Sequence, residues 1–138
     1  MDMSEANEKK TKPAESAGKL VYVVDDEPML LELAVVILEP QGFEVKSFRD
    51  PGQAMEAFSA ASPRPAVVIT DYAMHSMNGM QLVEKLRRLE PRQKILLISG
   101  TVGEDVFQGS PCKPDLFLAK PYQAHQLTAA VKSLIDGK

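Results

Sequence analysis

With 138 residues, 44% of them hydrophobic and 25% charged, the chain is long enough to bury the core of one domain. A net charge of -3 and the lack of a long basic run exclude a nucleic-acid groove or an anionic membrane surface as expected partners. The single cysteine, Cys112, excludes an internal disulfide, and the absence of a signal-peptide core or long apolar stretch argues against export or membrane insertion, so the expected location is cytoplasmic.

In chain order, residues Met1 to Gly18 mix Lys, Glu, Ser and Pro without an apolar period, which predicts a flexible tail preceding a domain over 19–138. Leu20-Val24 is an apolar run closed by Asp25 and Asp26, the signature of a strand buried on both faces. The first helix, Met29 to Leu38, has one polar residue, Glu32; Leu30, Leu33, Ala34 and Ile37 form the expected core stripe, leaving Leu31, Val35 and Leu38 as surplus apolar surface. Phe43-Ser47 alternates and reads as an edge strand. Asp50 is placed to cap a helix starting at Pro51, with Ala54, Ala57, Phe58 and Ala61 on one face. Ala66-Thr70 is a second buried strand, closed by Asp71, and the helix from Gly79 to Glu90 is expected to bury Leu82, Val83, Leu86 and Leu89. Lys94-Ser99 is the fourth strand. Gly103, Gly109, Pro111 and Pro114 then leave room for only a weak fourth helix around Glu104 to Gln108. Leu116-Ala119 and a helix from Gln123 to Ile135, with Gly137 as its stop signal, complete the domain.

Five strands alternating with five helices, the fourth short, fit a flavodoxin-like α/β fold, a doubly wound parallel sheet of order 2-1-3-4-5. Such sheets bind ligands beyond the carboxyl ends of their strands, beside the first and third. Asp25, Asp26 and Asp71 meet there, with Ser99 and Lys120 on the same edge. Two carboxylates about 5 Å apart repel by roughly 3 kcal/mol at an effective dielectric near 20, so the crevice favours a cation. Oxygen donors without a His or Cys pair suit Mg2+ rather than zinc. A metal there leaves Asp71 as the nucleophile of an aspartyl-phosphate reaction, with Lys120 and the Ser99 hydroxyl complementing the phosphoryl oxygens.

The segments "VVDDEP", "TDYAMHSMNG", "ILLISG" and "LAKP" resemble, in order and spacing, the motif blocks of the response-regulator receiver domain of two-component signalling, over Lys19 to about Ile135. The resemblance implies that Asp71 is the phosphoacceptor. Asp26, Asp71 and the Ala73 backbone carbonyl would ligate Mg2+, and Asp25 would act through water. Ser99 and Phe117 take the switch positions, Lys120 contacts the phosphoryl group, and Pro121 follows a cis peptide. The implied donor is a histidine kinase or histidine phosphotransfer protein, docking on the first helix through Leu31, Val35 and Leu38. With only three residues after Ile135, the expected output is contact with an unidentified protein. Such a domain is a signalling switch that catalyses its own phosphorylation and dephosphorylation rather than a metabolic enzyme.

Two departures stand out. His75 occupies a place where the family usually has proline and reads as a solvent-facing loop residue; the glycine-rich stretch from Gly103 to Gly109 replaces a sturdier fourth helix. Ala73 and Thr101, at positions that tune hydrolysis in the family, imply slow loss of phosphate. A flavodoxin-type cofactor site is disfavoured because Asp25 and Asp26 would repel its phosphate. A haloacid-dehalogenase-like phosphatase would need a second acid where Ala73 stands. The remaining alternative is a receiver-like adaptor that binds partners without being phosphorylated.

Overall fold

A computed structural model describes residues 19–137, and the expected tail lies outside the described residues. Five strands, β1 (Leu20–Val24), β2 (Glu44–Phe48), β3 (Val67–Asp71), β4 (Lys94–Ser99) and β5 (Leu116–Ala119), form one parallel sheet of order β2-β1-β3-β4-β5. Four α-helices connect them: α1 (Pro28–Leu38), α2 (Pro51–Ala60), α3 (Gly79–Leu89) and α4 (Ala124–Asp136). The expected short fourth helix around Glu104 to Gln108 is a single 3-10 turn, Glu104–Phe107, because the surrounding glycines and prolines cannot sustain an α-helix.

Alternation along the strands divides the apolar side chains into two cores. Val21, Val23, Val67, Ile69, Leu96 and Ile98 face α1 and α4, while Tyr22, Val24, Val68 and Ile95 face α2 and α3. The edge strands β2 and β5 are less covered than the three central ones.

Helix α1 is rotated from its expected phase. Leu31 and Leu38 are buried in the core, Val35 is half-buried, and Met29, Leu33 and Val36 are exposed. Leu31 and Leu38 are therefore packing residues rather than a docking patch, and Leu33 is not core. A helix apolar almost all round carries no periodic signal to fix which side meets the sheet. Leu89, in the last turn of α3, is likewise exposed rather than buried.

Local chemistry fixes the helix starts. The Asp50 carboxylate accepts the Gln53 N–H (3.2 Å), and Pro51 follows it at the first helical position. Asn78 and Gln81 form a capping box, each side chain accepting the other's backbone N–H at 2.9 and 2.8 Å. A β-carbon on Gly79 would lie 2.5 Å from the Asp71 carbonyl oxygen and 2.7 Å from Leu97 Cδ1, so only glycine lets α3 start this close to the end of β3.

Arg87, in the last turn of α3, closes the opposite end of the molecule. Its guanidinium donates to the carbonyls of Pro91 and Gln93, to the Lys113 carbonyl (2.8 Å) and to Asp115 Oδ2 (3.0 Å). The same Asp115 oxygen accepts the Ile95 N–H at 2.7 Å. No helix among the described residues is long and apolar enough to cross a membrane.

Candidate functional site

The parallel register brings the site together. Val24 pairs with Thr70, Asp71 with Ile98, and Ser99 with Ala119, so Asp25, Asp71, Ser99 and Lys120 leave the sheet along one edge. The apolar runs supply β1, β3, β4 and β5, and Asp25, Asp71, Ser99 and Lys120, at or just past their carboxyl ends, reach the crevice.

Asp71 is buried, with Oδ1 2.7 Å from Lys120 Nζ. The same ammonium lies 3.8 Å from Asp25 Oδ2. Two features fix Lys120: its N–H donates to the Ser99 carbonyl (2.9 Å), and Gly100 packs so closely on its stem that an added β-carbon would sit 3.1 Å from Lys120 Cβ. The Lys120–Pro121 peptide is cis, as the resemblance implied.

Asp25 is 7% exposed and accepts the Glu27 N–H at 3.0 Å. Burial pushes its carboxyl from 3.8 up to about 6; the nearby Asp71 and Asp26 charges add to the rise, while the Glu27 amide and Lys120 oppose it. Asp26 is more accessible. Its Oδ2 accepts the His75 backbone N–H at 3.0 Å and lies 2.5 Å from His75 Nδ1. His75 is solvent-facing, as expected, but it also caps a crevice acid.

Ser99 is buried, and its hydroxyl oxygen accepts the N–H groups of Thr101 (3.1 Å) and Val102 (3.0 Å), tying down the start of the connection to β5. Phe117 lies on β5 with its ring 6.1 Å from that of Phe107, the last residue of the 3-10 turn. Ala73 is exposed in the loop after β3.

Sequence reasoning missed Tyr122, which lines a narrow cavity beneath the crevice with Asp25, Asp71 and Lys120. Burial raises its phenol pKa, and the charges of Asp25 and Asp71 raise it further. Its position directly after Lys120-Pro121 was the available signal. The contact between His75 and Asp26, 49 residues apart, had none.

Among the described residues, no three acidic, His or Cys side chains gather tightly enough to enclose a metal by themselves. Mg2+ does not require such a cage, since it keeps several waters and takes one or two carboxylates. Two carboxylates, Asp25 and Asp71, face one ammonium, and the Asp26 charge adds to the resistance of Asp25 to ionisation, so the crevice acids form an oxygen donor set that a hydrated hard cation would relieve. The residues fit such an ion.

Comparison with known proteins agrees with this geometry. A family model described as the response regulator receiver domain matches residues 21–132. The probable transcriptional regulatory protein TcrX of Mycobacterium tuberculosis is 30% identical over 116 residues, covering 83% of this chain and 49% of that protein. The chain thus spans about half the length of that relative. A CheY-like receiver domain protein from Methanospirillum hungatei shares the fold with a TM-score of 0.80 at 24% identity, over 88% of this chain and 96% of that one. The response regulator TrrA of Thermotoga maritima, solved in complex with Mg2+ and BeF, gives a TM-score of 0.73 at 24% identity over 84% and 98% of the two chains. The family match runs from β1 well into α4, across the whole sheet edge that carries the crevice, and on that ground the chain belongs to the response regulator receiver domains, the signalling switches of two-component systems.

Proposed function

We propose that the domain accepts a phosphoryl group on Asp71 from a phosphohistidine donor, a histidine kinase or histidine phosphotransfer protein, with Mg2+ as cofactor, and signals by contact with an output protein. One observation carries this reading: Asp71 Oδ1 sits buried at the end of β3, 2.7 Å from the Lys120 ammonium. An Asp71 oxygen attacks phosphorus, the bond from phosphorus to the imidazole nitrogen breaks, and its electron pair stays with the imidazole. Lys120 complements the transferred charge. The Ser99 hydroxyl oxygen accepts from two amides, and its hydrogen, within reach of Thr101 Oγ1 at 3.4 Å, can turn from that long contact to a phosphoryl oxygen.

Asp26, Asp71 and the Ala73 carbonyl would hold the metal, with Asp25 acting through water. The ion would neutralise acids and phosphoryl oxygens together. The TrrA structure, solved with Mg2+ and BeF, supports the choice of ion. Met29, Leu33 and Val36 give α1 an exposed apolar face on the helix whose Leu30 lines the cavity with Asp25 and Asp71, and we assign donor docking to it. Neither Ala73 nor Thr101 offers an acid or amide to orient water, so the phosphoryl group should be lost slowly.

Incubation with Mg2+ and acetyl phosphate, followed by intact-mass measurement, tests the proposal. The parent should gain one phosphoryl group and Asp71→Asn none. Absence of an adduct on the parent would favour the adaptor reading.

A further inference from the structure

We infer that His75 is a metal-selecting residue: its imidazole joins the Asp26 carboxylate on a divalent cation and shifts the crevice from Mg2+ toward ions that accept nitrogen, such as Mn2+, Co2+ or Ni2+. The inference rests on the reading of the crevice as a cation site and specifies which cations it prefers.

His75 Nδ1 lies 2.5 Å from Asp26 Oδ2, and the backbone N–H of the same residue holds that oxygen at 3.0 Å. The loop thus keeps the imidazole beside an oxygen assigned to the metal. The Asp26 side chain is 18% exposed and that of His75 96%, so the ring lies on the solvent side and is free to adjust. Ligands at right angles around an ion with bonds of about 2.1 Å are about 3 Å apart, a small opening from the present contact, and the ion takes the place of the proton between Nδ1 and Oδ2, leaving the ring proton on Nε2. The contact alone gives little reason for histidine here, because a polar contact this exposed to solvent contributes little to stability. Imidazole adds little to the binding of Mg2+, which prefers oxygen, but favours the later first-row ions.

Calorimetric titration of the full chain with MgCl2 and, separately, CoCl2 provides the test, on the parent, His75→Ala and His75→Gln. Both variants should weaken Co2+ binding by about tenfold or more and change Mg2+ binding by less than about twofold. In the Co2+-loaded parent, paramagnetically shifted NMR signals should include the His75 ring, with His125 as the unshifted control. Equal changes for the two metals, or a glutamine variant that behaves like the parent, would reduce His75 to a hydrogen-bonding neighbour and overturn the inference. An unshifted His75 ring would do the same even if a variant failed to fold. The phosphorylation assay stays independent: loss of the Asp71 adduct with His75-dependent Co2+ binding retained would sink the functional proposal alone. If neither ion bound the parent, both the cation-site reading and this inference would fall.

Discussion

The connections after β3 and after β4 leave the same edge of the sheet but are built in opposite ways. The first is locked: the Tyr72 N–H donates to Ile98, the Gly79 N–H to Tyr72, the capping box starts α3, and there is no space for a side chain at Gly79. The second, residues 100–115, holds one 3-10 turn, with Gly109 at φ 85° and nothing within 4 Å of where its β-carbon would be. Group transfer needs an acceptor held to within a fraction of an ångström, whereas readout needs a segment whose states differ by little free energy. Under the proposed function the chain would meet one requirement on each side of the crevice.

Glycine substitutions give the sharpest way to break this contrast. Gly79→Ala should cost about 3 kcal/mol, because a carbonyl oxygen and a packed leucine must both move. Gly109→Ala should cost about 1 kcal/mol, the penalty of a left-handed backbone in open space. Urea unfolding measures both, and equal losses would remove the claim that the two connections differ in rigidity.

Asp25, across the crevice from the rigid wall, should give the next largest effect. Its folded-state carboxyl is raised to about 6 from 3.8, so the folded domain binds this proton more tightly than the unfolded chain. Without divalent ions, stability contributed at this site therefore falls as pH rises from about 4 to 6, and the full cost persists above that window. Asp25→Asn should stabilise the metal-free protein by roughly 2 kcal/mol at neutral pH and by almost nothing below pH 4. Chemical denaturation in EDTA at the two pH values checks this, and a gain independent of pH would contradict the charge-burial account.

The smallest effect should be kinetic. Phosphorylation should alter amide hydrogen exchange severalfold in residues 100–112 and around Phe117, leave 72–78 unchanged, and lose its effect in Ser99→Ala. Altered exchange on both sides of the crevice would mean that the acceptor wall is itself part of the switch.

The strands, their order and the crevice acids were legible in the sequence because a strand covered on both faces must be apolar until it ends, which makes the first acid after it conspicuous. Asp25, Asp71, Ser99 and Lys120 accordingly lie on one edge, as the register requires. The facing of α1 was not legible, since Met29 to Leu38 contains only Glu32 as a polar marker and the side turned inward is decided by fit to Val21 and Val23. Nor did any local pattern point from His75 to Asp26, because that contact depends on how two loops meet after the sheet has formed. The rigidity at Gly79 was hidden for a related reason: a glycine opening a helix looks the same in sequence whether its surroundings are empty or full.

Arg87 gives the connection after β4 a fixed pivot. Through the Lys113 carbonyl and Asp115 it ties the far end of that connection to α3, and through Asp115 to Ile95 on β4. If phosphorylation displaces the Ser99 hydroxyl as proposed, letting β5 slide would not dissipate the movement. The chain between Thr101 and Cys112 would absorb it, like a strap fastened at one buckle and pulled at the other. A partner that reads the state of this domain would then find the contrast concentrated near the Ser99 end and fading toward Arg87, which makes the length of the segment a gain setting on the signal.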